Sequence, residues 1–411
     1  MMFIVYKFLI NIIFFFSPLI LIIRLIKKKE DPIRFKEKLG FFSKKRKNGN
    51  LIWFHGASVG EIQSIIPLVE KFEKNKNINQ ILITSNTISS SKIIQTYKLK
   101  KTIHQFFPID CNFISKKFIN YWRPSKVFFI DSEIWPNTIY NLSSKKIPIY
   151  LLNGRITKKS LNRWLFFSNF AKLFFSKFKL CLSSSLESKK YLKKLGANNI
   201  KFIGNLKFSQ SENLDTKLNK KLKKFIHSRN TWCASSTHFK EEKFCGLVHI
   251  RLKKKIKNLI TIIIPRHVGR VGSIEKELNS LDLKVHLDEP QRKLSPNTDI
   301  YLVNSYGKTK SFYKECKNVF LGGSLIEHGG QNPLEAVRYG CKVFHGPNIS
   351  NFREIYEFLK SNSLSRKIDN DQNLANLLLT NFKKKTQHKK IIKNLYLIGK
   401  NILNKTYKEI S

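Results

Sequence analysis

Short apolar runs alternate with amphipathic stretches along most of this chain, after one long apolar segment at its start. Phe8–Ile23 is apolar but for Asn11 and Ser17, with Lys7 on one side and Arg24 and Lys27–Lys29 on the other. As a helix this run reaches about 24 Å, short of a bilayer core of about 30 Å. Snorkelling of Lys7 and Arg24 lets Phe3–Ile26 span instead. The pattern predicts a membrane anchor over residues 1–28. A cleaved leader is the alternative, and it fits less well because lysines, not a small-x-small site, follow the apolar run. The heavier positive flank lies C-terminal, which predicts that the body of the protein faces the cytoplasm.

Beyond the anchor, strands are predicted at Leu51–His55, Ile81–Ser85, Gln105–Ile109, Lys126–Ile130, Ile147–Leu152 and Lys179–Ser183. Helical patterns such as Glu61–Asn75, Phe113–Trp122 and Ser160–Ser176 fall between them. A polar, lysine-rich break covers Ser209–Thr231. The alternation then resumes with strands at Trp232–Ser235, Leu259–Ile264, Lys284–Leu287, Ile300–Asn304, Val319–Leu321 and Lys342–His345, and a helical tail from Asn373. Alternating β and α elements predict parallel sheets with helices on both faces. Two such arrays predict two doubly wound, Rossmann-like α/β domains, 32–208 and 209–411, with a cleft at the strand C-terminal ends.

Composition changes this picture in two respects. Lys and Arg number 76 against 28 Asp and Glu, a formal charge of +48, and lysine carries the excess. Attraction to an anionic partner is one reading. AT-rich codon usage is the other, since Ile, Asn and Phe are abundant as well. The six cysteines show no metal or redox spacing and read as small buried apolar side chains in a reducing compartment.

The candidate chemistry falls after predicted strands. His55-Gly56-Ala57-Ser58-Val59-Gly60-Glu61 opens a helix, so Glu61 is either a base for an incoming hydroxyl or an acidic first-turn residue complementing the helix dipole. Glu133, in Asp131-Ser132-Glu133-Ile134-Trp135-Pro136-Asn137, reads as a second such carboxylate or as a cap. Gly204-Asn205-Leu206-Lys207 places a cation after a strand, and Pro265-Arg266-His267 offers two groups for a phosphate. In Gly322–Phe352, glycines 329 and 330 precede Asn332 as cap, Pro333 in the first helical turn and Glu335 just inside it. That helix mouth suits an anion or sugar hydroxyls. Asp369-Asn370-Asp371 looks like an Asp-x-Asp metal motif but reads as a loop or helix cap.

Taken in order, HGASVGE, FFPID, SEIWPN, NGRIT, GNLKF, ASSTH, PRH and GGSLIEHGGQNPLEA with GPNISNF resemble the 3-deoxy-D-manno-octulosonic acid (Kdo) transferase family over nearly the whole chain. The anchor matches too. The resemblance implies a glycosyltransferase-B fold and inverting transfer of Kdo from CMP-Kdo to a lipid A precursor at the inner membrane, without metal or cofactor. It makes 32–208 the acceptor domain, and 209–411 the CMP-sugar domain with its C-terminal helices. Glu61 would be the general base, and Glu133 and Lys207 would stabilise the transition state. Arg266 and His267, Tyr306-Gly307-Lys308, and Asn332-Pro333-Leu334-Glu335 would bind CMP, with Glu335 on the ribose.

Two positions depart from the family pattern. Lys308 stands where a carboxylate is usual, and Asp131 replaces the first glutamate of its motif. Another nucleotide-sugar transferase of the same fold is the nearest alternative. A membrane-tethered binder of nucleic acid or another polyanion fits poorly, because the lysines are spread along the chain and leave the glycine and carboxylate motifs without a purpose.

Overall fold

A computed structural model describes residues 2–210, 218–289, 294–383 and 388–411. The chain forms two compact units, Met1–Ser211 with Leu397–Ser411, and Glu212–Tyr396.

The first unit holds β1 (Leu51–His55), β2 (Gln80–Ser85), β3 (Thr102–Phe106), β4 (Lys126–Ile130), β5 (Ile149–Gly154), β6 (Leu180–Ser183) and β7 (Ile200–Phe202). They make one parallel sheet in the order β3-β2-β1-β4-β5-β6-β7. Successive side chains point to opposite faces, and both faces are covered, so the strands read as continuous apolar runs. Trp53, Phe129 and Leu151 pack with Phe118 and Trp122, while Phe54 and Phe128 pack with Ile65, Phe72 and Ile83. The sequence order reverses between β1 and β4, and the glycine and carboxylate motifs follow these two strands.

The second unit repeats the plan with β8 (Asn230–Thr237), β9 (Leu259–Pro265), β10 (Val285–Leu287), β11 (Ile300–Leu302), β12 (Asn318–Leu321), β13 (Lys342–His345) and β14 (Ser365–Lys367). Its parallel order is β10-β11-β9-β8-β12-β13-β14. Here the reversal falls between β8 and β12. In open sheets of this kind ligands bind beyond the strand ends at such a reversal.

Several elements differ from the sequence-based expectation. β3 lies three residues earlier than predicted, because Pro108 has no N–H to continue the ladder. The predicted helix Ser160–Ser176 is two helices, Lys158–Phe166 and Ser168–Phe175, broken at Phe167. Its aromatic run divides: Phe174 and Phe175 are core, whereas Phe166 is 82 % exposed. The domain assignment of 209–411 also needs correction. The last helix, His388–Ile410, ends in the first unit, where Ile402 and Ile410 join the core. The Tyr407 ring packs tilted against Phe72, 4.9 Å between centroids, and Lys126 Nζ donates to the Ile410 carbonyl at 2.9 Å. The lysine-rich faces of that helix hide its narrow apolar stripe in the sequence.

Met2–Ile26 is a single helix long and apolar enough to cross a membrane. One side of it is seated on the first unit. Phe3 packs among Tyr140, Phe170 and Phe174, the Tyr6 hydroxyl donates to Asp110 Oδ2 at 2.8 Å, and Cys111 Sγ meets Asn11 Oδ1 at 3.0 Å. The opposite side, including Phe8, Ile12, Phe15 and Leu19, is exposed. All six cysteines are buried and unbridged. Asn370 Oδ1 accepts from Asn373 N at 2.8 Å and Asp371 pairs with Arg251, so this triplet is a helix cap.

Candidate active site

Glu61 takes its position from a capping box at the start of the helix Val59–Glu73. Ser58 Oγ accepts from Glu61 N, while the Glu61 carboxylate accepts from Ser58 Oγ at 2.8 Å and from Ala57 N at 2.7 Å. A Cβ on Gly56 would lie 3.1 Å from Glu61 Cβ and 3.5 Å from Oε2, so glycine leaves room for this folded-back side chain. Geometry alone thus supports the plain reading of Glu61 as a cap.

Its electrostatics go further. An ordinary capping glutamate is held anionic by these N–H groups and the helix dipole. Glu61 is instead pushed up to about 7, chiefly by burial and then by the negative charges of Asp131 and Glu133. Those charges outweigh the two hydrogen bonds. A carboxylate titrating near neutrality is matched to taking a proton from a hydroxyl and releasing it again.

Glu133 is fixed from two sides. Its Oε2 accepts from Trp135 Nε1 at 2.9 Å and lies 3.3 Å from His55 Nε2. His55 is fully buried, and its Nδ1 meets Thr84 Oγ1 at 2.9 Å, a hydroxyl that already accepts from Trp53 Nε1 at 2.8 Å. That hydroxyl also donates to the Phe54 carbonyl at 3.4 Å, so Thr84 and Glu133 hold the imidazole by its two ring nitrogens. The helix behind this loop, Pro136–Ser144, is held by Asp110, whose carboxylate accepts from Asn137 N, Thr138 N and Thr138 Oγ1.

Lys207 pairs with Asp131, Nζ to Oδ2 at 3.2 Å. Asn153 ties the two segments together: its Nδ2 donates to Asp131 and its Oδ1 accepts from Leu206 N at 2.9 Å. Asp131 and Asn153 both sit at φ 55°, a left-handed conformation that these residue types tolerate and that collects at functional sites. The sequence marked Asp131 only as a departure from a motif; here it orients the cation and its charge holds Glu61 up against ionisation.

This network predicts a pH dependence. A carboxylate titrating at about 7 is ionised above that pH and protonated below it. With Glu61 in the expected role of base, turnover should rise with pH through about 7. Asp131→Asn removes one negative neighbour and should move that acid limb lower, whatever it does to the plateau. A pH–rate profile of both proteins checks this, and an unmoved limb would separate Asp131 from the titration.

In the second unit Arg266 and His267 follow β9 with exposed side chains. Tyr306 is 68 % exposed beside Gly307 at φ +87°. Lys308 Nζ pairs with Asp288 Oδ2 at 2.7 Å, and Tyr301 donates to the same carboxylate. The unexpected lysine therefore has a structural partner of its own. Asn332 Oδ1 accepts from Leu334 N at 3.1 Å, but the cap position falls on Pro333, one residue later than expected. The helix that follows, Leu334–Arg338, is only five residues long, so the expected anion site at its mouth has little dipole behind it. Pro333 and Leu334 are buried, leaving backbone contacts, whereas Glu335 is partly open with Lys310 Nζ at 3.6 Å.

Sequence reading missed Glu241, which is 1 % exposed. Its carboxylate accepts from four backbone N–H groups, those of His238, Gly323, Ser324 and Leu325, at 2.7–3.1 Å. It locks together the turns that follow β8 and β12. Glu241→Ala would leave those four donors unpaired and should cost about 3 kcal/mol or more of stability. The midpoint of denaturant unfolding measures this, and an unchanged midpoint would mean that the donors find other acceptors.

Comparison with known proteins places these features in context. Residues 33–210 match the family described as 3-Deoxy-D-manno-octulosonic-acid transferase (kdotransferase). The 3-deoxy-D-manno-octulosonic acid transferase of Rickettsia bellii is 32 % identical, covering 87 % of this chain and 86 % of its own. That of Haemophilus influenzae is 28 % identical over 75 % of this chain and 73 % of its own. Among solved structures, the UDP-GlcNAc 2-epimerase of Neisseria meningitidis superposes with a TM-score of 0.62 at 15 % identity, covering 87 % of this chain and 98 % of its own. That likeness concerns the fold alone, which is of the glycosyltransferase-B type.

Proposed function

Because the chain belongs to the 3-deoxy-D-manno-octulosonic acid transferase family, we propose that it moves Kdo from CMP-Kdo to a lipid A precursor by direct displacement, with Glu61 as base. The observation that carries this reading is the carboxylate group Glu61, Asp131 and Glu133, in which Glu61 is pushed up to about 7. In the proposed step the acceptor oxygen attacks the anomeric carbon of Kdo as its proton passes to Glu61. The bond from that carbon to the phosphate oxygen breaks, CMP leaves with the electron pair, and the configuration inverts. Lys207, held by Asp131, supplies positive charge as negative charge develops on the donor. Glu133, fixed by Trp135 and His55, is the second proposed stabiliser, favouring positive charge that develops at the anomeric centre.

Arg266, His267, Tyr306, Gly307, Lys308 and Asn332 through Glu335 are proposed to bind CMP. The pairing of Lys308 with Asp288 argues that this position contributes through its backbone. The apolar outer side of Met2–Ile26, with Lys27–Lys29 after it, supports an anchor at the inner membrane with both units on the cytoplasmic side, since basic residues near an anionic surface add about 1 kcal/mol each. The test is incubation of the purified protein in detergent with CMP-Kdo and tetraacylated lipid A precursor, with products read by mass spectrometry. The reading expects acceptor heavier by one Kdo residue or its multiples. No gain from folded protein, or a gain only from a uridine diphosphate sugar, would remove it.

A further inference from the structure

His238 directly follows β8, and Gly323 lies two residues beyond β12, at the point where the strand order of the second sheet reverses. His238 is 8 % exposed, and its Nε2 is buried without a hydrogen-bond partner among the described residues. A buried ring nitrogen left unpaired costs free energy, so its position calls for an explanation. Two other side-chain nitrogens converge on the same spot. The place a Cβ would take on Gly323 lies 3.3 Å from His238 Nε2, 3.3 Å from His328 Nδ1 and 3.4 Å from Gln331 Nε2. The His238 and His328 rings are 4.5 Å apart, and His267 follows at 5.8 Å from His238.

The cluster is strongly cationic in its surroundings. Burial first, and then His328, His267, Arg266 and Arg270, push His238 down to about 4. Arg270 is satisfied by Glu242, and the Glu241 carboxylate beneath is consumed by its four backbone donors. Neither of these two carboxylates accepts from His238 Nε2. Among the described residues no three His, Cys, Asp or Glu side chains are placed to hold a metal ion, so the nitrogens do not form a metal site. Gly323, at φ +67°, keeps the floor clear of a side chain.

We propose that His238, His328 and Gln331 form an oxyanion subsite above Gly323, which takes a phosphate or carboxylate group of the sugar-nucleotide donor. This rests on the donor reading above and adds three residues to it. Bound there, the anion gives the buried His238 ring the partner it lacks, and exposed His328 closes over it. The donor carries two groups of this chemistry, the CMP phosphate and the Kdo carboxylate.

The test uses the full-length protein in detergent, with His328→Ala, an exposed site, and Gln331→Glu, which places a repelling charge at the convergence. Calorimetry with CMP and with cytidine separates phosphate from nucleoside. Loss of about tenfold or more in CMP affinity, with cytidine unchanged, assigns the subsite to the phosphate. Unchanged CMP affinity with a comparable rise in KM for CMP-Kdo assigns it to the carboxylate. Both parameters unchanged in both variants would overturn the proposal. Wild-type protein that binds neither CMP nor cytidine would instead defeat the donor reading. Inorganic phosphate then decides the subsite by itself: affinity lost in Gln331→Glu supports it, and no binding to the wild type overturns it.

Discussion

Glu61→Gln is expected to lower turnover by about 10²–10⁴-fold, the range a positioned general base supplies, while CMP affinity stays unchanged. Glutamine has the shape of glutamate and can still accept one of the two hydrogen bonds from Ala57 N and Ser58 Oγ. The loss at the capping box is about 1 kcal/mol, small enough for the first unit to remain folded. What disappears is the group titrating at about 7. Residual turnover should therefore lose its acid limb in that region. Retained turnover with the limb intact would move the base elsewhere, and loss of CMP binding would mean that the substitution had damaged more than the proton transfer.

Lys207→Ala should have the next largest effect, a fall in turnover of about 10²–10³-fold with little change in donor affinity, since one preorganised charge aimed at a developing anion is worth that much. A second consequence follows from its pairing at 3.2 Å. Without Lys207 the Asp131 charge is uncompensated and already counts against ionising Glu61. The acid limb should then move to higher pH. The plateau rate above the limb reports the role of Lys207 in the displacement, and the limb position reports its control of Asp131. A loss expressed wholly in donor affinity would contradict the transition-state role.

Much of this was legible before any coordinates. Runs such as Leu51–His55 and Lys126–Ile130 are strands at those bounds, because a parallel strand buried on both faces leaves an uninterrupted apolar signature. The motifs that follow β1 and β4 were legible for the same reason, since the strand ends fix where they begin. Less was legible where a long-range partner decides the role. Asp131 gains its meaning from Lys207 and Asn153, and Glu241 from a turn some eighty residues away. Neither pairing leaves a periodic trace. β7 and β14 are three-residue edge strands, too short for a pattern. The return of the last helix to the first unit depends on a few apolar positions among many lysines.

The measurement that tests the central claim most directly is the anomeric configuration of the Kdo residue in the product, determined by NMR after a single turnover from CMP-Kdo. Direct displacement by an acceptor oxygen deprotonated at Glu61 predicts a configuration opposite to that of the donor. Retention would require either two successive displacements or attack on the face from which CMP departs, and both contradict in-line displacement by an acceptor deprotonated at Glu61.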